Sequence, residues 1–217
     1  MRKTVILLLS LFLAGVVSEA RIVKGRVTSG RKKLSSVVVT DGRNFTQTGR
    51  RGTFTLDICD SADFVYIVTP SGYTADWSEG SPAFYRKAEG KSYFEFDLKE
   101  TTIPSSEYNI IAVGDPQPRS KDHFNEFAGV PLDDIRQCVA GLRSPTVAIV
   151  VGDITHDKYY LMDNWKQTMK SESIPFYPVI GNHDHNKAYV VEEEAINTYQ
   201  ENFGPENYAF FLGKDLV

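Results

Sequence analysis

The sequence predicts an α/β protein in two parts, a small antiparallel β-sandwich followed by a layered α/β domain with a site at its strand ends. Over residues 21–100, short β-branched and aromatic segments alternate with turn signals about every 8 to 12 residues, the rhythm of a sandwich. From residue 108 onward, apolar strand-like runs alternate with amphipathic helical stretches, the pattern of a largely parallel sheet. The third observation concerns position. Each of three apolar runs ends in glycine followed at once by a side chain able to bind a cation: Gly114-Asp115, Gly152-Asp153 and Gly181-Asn182.

Arg2 and Lys3 precede an apolar run over 5–17, and Ser18-Glu19-Ala20 supplies small residues at a cleavage spacing. Residues 1–20 read as a secretory signal peptide, too short for a spanning helix; the alternative is an uncleaved N-terminal anchor. The expected mature chain begins near Arg21, is exported to the periplasm or beyond the cell, and keeps no membrane anchor. Cleavage moves the net charge from -4 to about -5. A mildly acidic chain of mixed signs carries no electrostatic footprint for nucleic acid. Cys59 and Cys138 lie far apart and make no disulfide framework, so two separate buried thiols are expected.

In the first part, strands are expected over 22–27, 36–40, 45–48, 53–58, 64–69 and 93–98, with basic or glycine turns between them. Gly25-Arg26-Val27, then Val37-Val38-Val39-Thr40-Asp41-Gly42, then Gly49-Arg50-Arg51-Gly52-Thr53-Phe54 resembles the transthyretin-like, carboxypeptidase-regulatory type of β module. That resemblance implies an accessory role without chemistry. Tyr73, Trp77, Phe84 and Tyr85 form an aromatic group, expected to pack on the next domain, with a sugar platform as the alternative. Residues 101–107 read as a linker.

In the second part, strands are expected over 108–113, 146–151 and 176–180, with another beginning at 208–212. Helices are expected over 132–142, 160–169 and 192–202. The first carries Leu132, Ile135, Val139 and Leu142 on one stripe, and Asp133 and Asp134 in its first turn. Parallel strands finish along one edge of their sheet, where ligands bind in open α/β sheets. Glycine there permits a sharp turn and close approach. Aspartates, an asparagine amide oxygen and imidazoles suit divalent ions such as manganese, zinc or iron. Alone, Asp115-Pro116 reads equally as a turn and Gly152-Asp153 equally as a cap. All three in order point to a metal site.

Asp115-Pro116-Gln117, Gly152-Asp153-Ile154-Thr155-His156 and Gly181-Asn182-His183-Asp184 resemble the first three signatures of the calcineurin-like metallophosphoesterases. The resemblance implies that two divalent metal ions hold a hydroxide that hydrolyses a small phosphoric ester, whether monoester, diester or nucleotide. It implies Asp115 on the first ion, Asp153 bridging both, and Asn182 on the second. His183 would stabilise the transition state and protonate the leaving oxygen, and Asp184 would orient His183 or support it indirectly. Gln117 stands where the family usually has histidine. Its amide oxygen can still bind a metal, which tilts the ions toward manganese or magnesium.

The family completes its site with a further histidine and a Gly-His-x-His element. No histidine follows His185, so 108–217 is expected to be the N-terminal part of a longer domain. That gap keeps a second reading open, a secreted binding module with a decayed phosphoesterase half. A serine hydrolase has no Gly-x-Ser-x-Gly elbow to support it. His156 reads equally as a substrate or indirect contact and as a polar loop residue; His185 is given no role, and His123 and Glu192-Glu193-Glu194 read as surface.

Overall fold

Alternation of apolar and polar residues builds the first half. It contains β1 (Arg21–Ser29), β2 (Lys32–Lys33), β3 (Val38–Thr40), β4 (Phe45–Gln47), β5 (Thr53–Ile58), β6 (Phe64–Ile67), β7 (Tyr73–Thr74), β8 (Tyr85–Lys87), β9 (Tyr93–Asp97) and β10 (Lys99–Glu100). The computed structural model describes residues 21–101 and 107–217. The leader read over 1–20 and most of the linker read over 101–107 lie outside them. β1 buries Val23, Gly25 and Val27, β5 buries Phe54, Leu56 and Ile58, and β9 buries Phe94 and Phe96, each at the two-residue period of a one-sided strand. These strands form a sheet in which β1 lies between β5 and β9, with β2 on its end. A second sheet runs β4-β3-β6-β8, and β7 pairs with β10. Side chains of both large sheets share one core.

One pairing departs from the antiparallel expectation. β9 runs parallel to β1, in register from Lys24–Tyr93 to Thr28–Asp97. The chain leaves β5, passes through the second sheet, and returns to the free edge of β1 travelling in the same direction. The cysteine expectation also needs correction. Both thiols are free, but Cys59 is half-buried and Cys138 exposed, because Cys138 lies off the apolar stripe of its helix.

The second half contains β11 (Asn109–Val113), α1 (Lys121–Gly129), α2 (Pro131–Ala140), β12 (Thr146–Val151), α3 (Leu161–Met169), β13 (Phe176–Val179), α4 (Glu192–Ala195), α5 (Asn197–Phe203), β14 (Phe211–Leu212) and β15 (Asp215–Leu216). β11, β12 and β13 are neighbours in that order and all parallel. β13 is an edge strand, which tolerates Pro178. Helix α1 was not expected, since only Phe124 and Phe127 mark its buried face; Ser120 starts it by accepting from the His123 N–H at 3.2 Å. The helix expected over 192–202 is two, because a turn at Ile196 interrupts the ladder. The last expected strand does not join the parallel sheet. β14 and β15 make their own hairpin, and Phe210 bridges to Thr69 of the first half.

The helix-side face of the parallel sheet is buried, and the other face is covered at β12 and β13, while Ile110 and Ala112 of β11 are exposed. Ala148, Val150 and Phe176 meet Trp165, Phe127, Tyr199 and Phe203 in a helix-side core. Val147 and Tyr177 belong instead to the core of the β module. Across that junction Phe84 meets Tyr208 at 4.7 Å between ring centres, and within the second half Tyr177 stacks on Phe210 at 4.0 Å. The Trp77 indole N–H donates to the Glu172 carbonyl at 3.0 Å. Trp77 and Phe84 of the expected aromatic group thus make their contacts with the second half. Because one hydrophobic core runs through both halves, Tyr177→Ala should cost about 3–5 kcal/mol, lost from a single urea transition that reports on both. Two separated transitions in the unsubstituted chain would contradict this.

Candidate metal centre

The three strand ends meet. Asp115 lies two residues past β11, Asp153 two past β12, and Asn182 three past β13, and the strands are adjacent and parallel. Backbone hydrogen bonds lace the loops: Gln117 N–H to Asp153 O at 3.1 Å, His156 N–H to Pro118 O at 3.2 Å, and Asp157 N–H to His183 O at 3.3 Å. The approach of the second and third loops is too close for side chains. A Cβ on Gly181 would lie 2.1 Å from Asp153 Oδ1 and 2.2 Å from its backbone nitrogen. Gly152 has φ +83° and would put a Cβ 3.1 Å from the Gly181 Cα. Among the described residues, five non-glycines have positive φ, and four of them are here: Asp115, Gln117, Asp153 and Asp157. Such strain persists only where surrounding contacts over-determine it, and it gathers at functional sites.

Asp153 is the centre of this arrangement. Only 5% of it is exposed. Its Oδ1 accepts from the His183 backbone N–H at 2.9 Å, and its Oδ2 from Gln117 Nε2 at 2.7 Å. The same Nε2 lies 3.4 Å from Oδ1 of the exposed Asp115. Among the described residues neither Asp115 nor Asp153 has a lysine or arginine partner. Buried carboxylates are ordinarily paired with a cation or bound to a metal. This donor set therefore fits a hard divalent ion. Asn182 is exposed in the same loop, and its amide joins none of these hydrogen bonds.

Asp184 does not touch the His183 ring. Fully buried, it accepts from Gly181 and Ile154 N–H on Oδ2 and from Thr155 N–H on Oδ1, each at 3.0 Å. It ties the second loop to the third through their backbones. Burial pushes its carboxyl up to about 6, against the pull of those three donors. The group that holds the His183 ring is Asp157, whose Oδ1 lies 2.9 Å from His183 Nδ1. Lys187 donates to the other oxygen of Asp157 at 2.6 Å. Lys187 first, then His183, hold Asp157 down at about 2. Asp157 and Lys187 were missed in the sequence; the nearest signal was the placement of Asp157 four residues after Asp153.

His156, Asp157 and His183 offer ligand atoms within 4.8 Å of one another, with the two imidazole centres 3.9 Å apart. His156 Nδ1 also lies 3.2 Å from Gln117 Oε1. Burial, then Arg119 and His183, lower the His156 pKa. His185 pairs with Glu192 at 3.4 Å, and His123 is exposed on α1.

Residues 108–216 match the family model for calcineurin-like phosphoesterase, and residues 21–101 match the model for the N terminal of calcineurin-like phosphoesterase. The chain belongs to the calcineurin-like phosphoesterases. No curated protein and no solved structure matches it. The β module thus falls under a family model of its own, and the strand-end site falls under the calcineurin-like phosphoesterase model.

Two outcomes are expected of this geometry. Gly181→Ala forces the third loop off Asp153 and should weaken divalent-ion binding on the order of tenfold by calorimetry, while Gly129→Ala, in helix α1 with nothing within 4 Å of its Cβ, should leave binding unchanged. In metal-free protein Asp184 binds its proton more tightly folded than unfolded, since about 6 exceeds the ordinary 3.8. Its contribution to stability is full below about pH 4 and is lost as pH rises through about 6. Urea midpoints should fall across that window, and Asp184→Asn should flatten the fall.

Proposed function

We propose that this chain forms the metal-binding core of an exported hydrolase of small phosphoric esters. The observation that carries the reading is Asp153, a buried carboxylate that faces Asp115 across one amide and has no cationic side chain of its own among the described residues. Asp115, Gln117, Asp153 and Asn182 would hold two divalent ions, with Asp153 between them. Such ions, when bound, supply Lewis acidity and a water that ionises near neutral pH. The leader-like residues 2–20 support export. The two sheets of the β module, read as a sandwich, support the sheet from its other face.

The side chains of the site divide the remaining work. His183 Nδ1–H donates to Asp157, which fixes the ring's orientation. Nε2–H is then the donor for the leaving oxygen, moving one proton as the ester bond breaks. Lys187 shares the charge of Asp157 and keeps it ionised. The loop hydrogen bonds and Asp184 hold these groups in place before substrate arrives, so little reorganisation accompanies the reaction.

With added manganese, full-length protein should hydrolyse p-nitrophenyl or bis-p-nitrophenyl phosphate, and Asp153→Ala should abolish turnover. Unchanged turnover in that variant overturns the bridging role, and manganese binding without any turnover favours the binding-module reading. Asp157→Asn should lower kcat on the order of 10²-fold for an alkyl phosphate, whose leaving oxygen needs a proton. For p-nitrophenyl phosphate, whose leaving group departs as the anion, the loss should be much smaller. Equal losses on the two substrates would remove His183 from proton transfer.

A further inference from the structure

The amide of Gln117 is held at both ends. Oε1 lies 3.2 Å from His156 Nδ1, and Nε2 lies 2.7 Å from Asp153 Oδ2 and 3.4 Å from Asp115 Oδ1. The backbones that carry these side chains are fixed to one another, Gln117 N–H on Asp153 O and His156 N–H on Pro118 O. The His156 ring is fixed in turn against His183, at 3.9 Å between centres and 36° between planes. The two side chains therefore meet end to end.

An amide presents a donor on one side and an acceptor on the other. An NH2 group between two carboxylates suits a pair of anions. A divalent ion carried by Asp115 and Asp153 reverses the requirement, because it repels the NH2 and attracts the carbonyl oxygen. Turning the amide over places Oε1 toward the carboxylates and Nε2 toward His156. Imidazole can meet either arrangement, since Nδ1 donates in one tautomer and accepts in the other. Without that acceptor, the NH2 displaced by the ion loses the partner that this end of the amide has among the described residues.

Resting on the reading of this cluster as a divalent-ion site, we propose that His156 is the positioning residue for Gln117. By accepting from Gln117 Nε2 it holds Oε1 on the ion carried by Asp115 and Asp153. Residues that orient a metal ligand from behind ordinarily change affinity by about 10- to 100-fold.

The test is manganese binding to the metal-free chain, read from the electron paramagnetic resonance signal of the free aqua ion. His156→Phe keeps a ring against His183 but removes the acceptor, and should weaken binding about 10- to 100-fold. His156→Asn, whose amide oxygen can accept from Nε2, should recover part of that loss. Gln117→Glu replaces the amide with a carboxylate that has no wrong end. In that background His156→Phe should change affinity by less than about twofold, since no donor remains to be oriented. Thermal melts identify any variant whose loss comes from unfolding, and His156→Asn then carries the comparison. Manganese binding in His156→Phe equal to that of the unsubstituted chain overturns the proposal, as does an equal loss in both Gln117 and Glu backgrounds. Failure of the unsubstituted chain to bind manganese overturns the underlying metal reading instead, and this inference with it.

Discussion

Asp153 is a carboxylate taken out of water at the point where three loops meet, with no lysine or arginine beside it among the described residues. That one placement constrains its surroundings. An isolated buried charge is expensive, so the site gives it two N–H donors and a neighbouring carboxylate, a donor set that suits a cation. Gly181 is glycine because a Cβ there would overlap Asp153 itself, and Gly152 because it combines a positive φ with a close approach to the Gly181 Cα. The strained φ of Asp115, Gln117, Asp153 and Asp157 has the same origin, since backbones that approach this closely leave few conformations that also aim the side chains inward.

Three aspartates close together have three environments and three tasks. Asp153 is buried and open to a cation. Asp184 is buried deeper and spends both oxygens on backbone N–H groups, which makes it a clamp between loops. Asp157 is half-buried beside Lys187 and His183, where the ammonium keeps it charged and its charge orients the imidazole. Environment, more than residue type, separates an open carboxylate from a clamp and from an orienting group.

The β module bears on the site from behind. Val147 and Tyr177 of the parallel sheet are buried in the module's core, and Tyr199 and Tyr208 both donate to the Pro178 carbonyl at 2.7 Å. That carbonyl lies in β13, a few residues before Gly181. The third loop therefore leaves a strand fixed by the module on one face and by the helices on the other. A rigid strand is what lets a short loop hold a side chain to within a fraction of an ångström.

The parallel sheet was legible because apolar runs of strand length ended in Gly-Asp or Gly-Asn, a local signal that survives in one dimension. The strands of the module were legible from their two-residue alternation, although the parallel return of β9 was not, since direction of pairing depends on the path between strands. Helix α1 escaped because two phenylalanines make too weak a stripe. The sequence by itself determined which residue types stand at the strand ends, and hence the hard-donor chemistry on offer there. Only the tertiary structure decided that Asp157 holds the His183 ring, that Asp184 binds backbone, and that His156 meets Gln117. Those partnerships span 26 to 39 residues of chain and depend on loop conformations at positive φ, which no periodicity encodes.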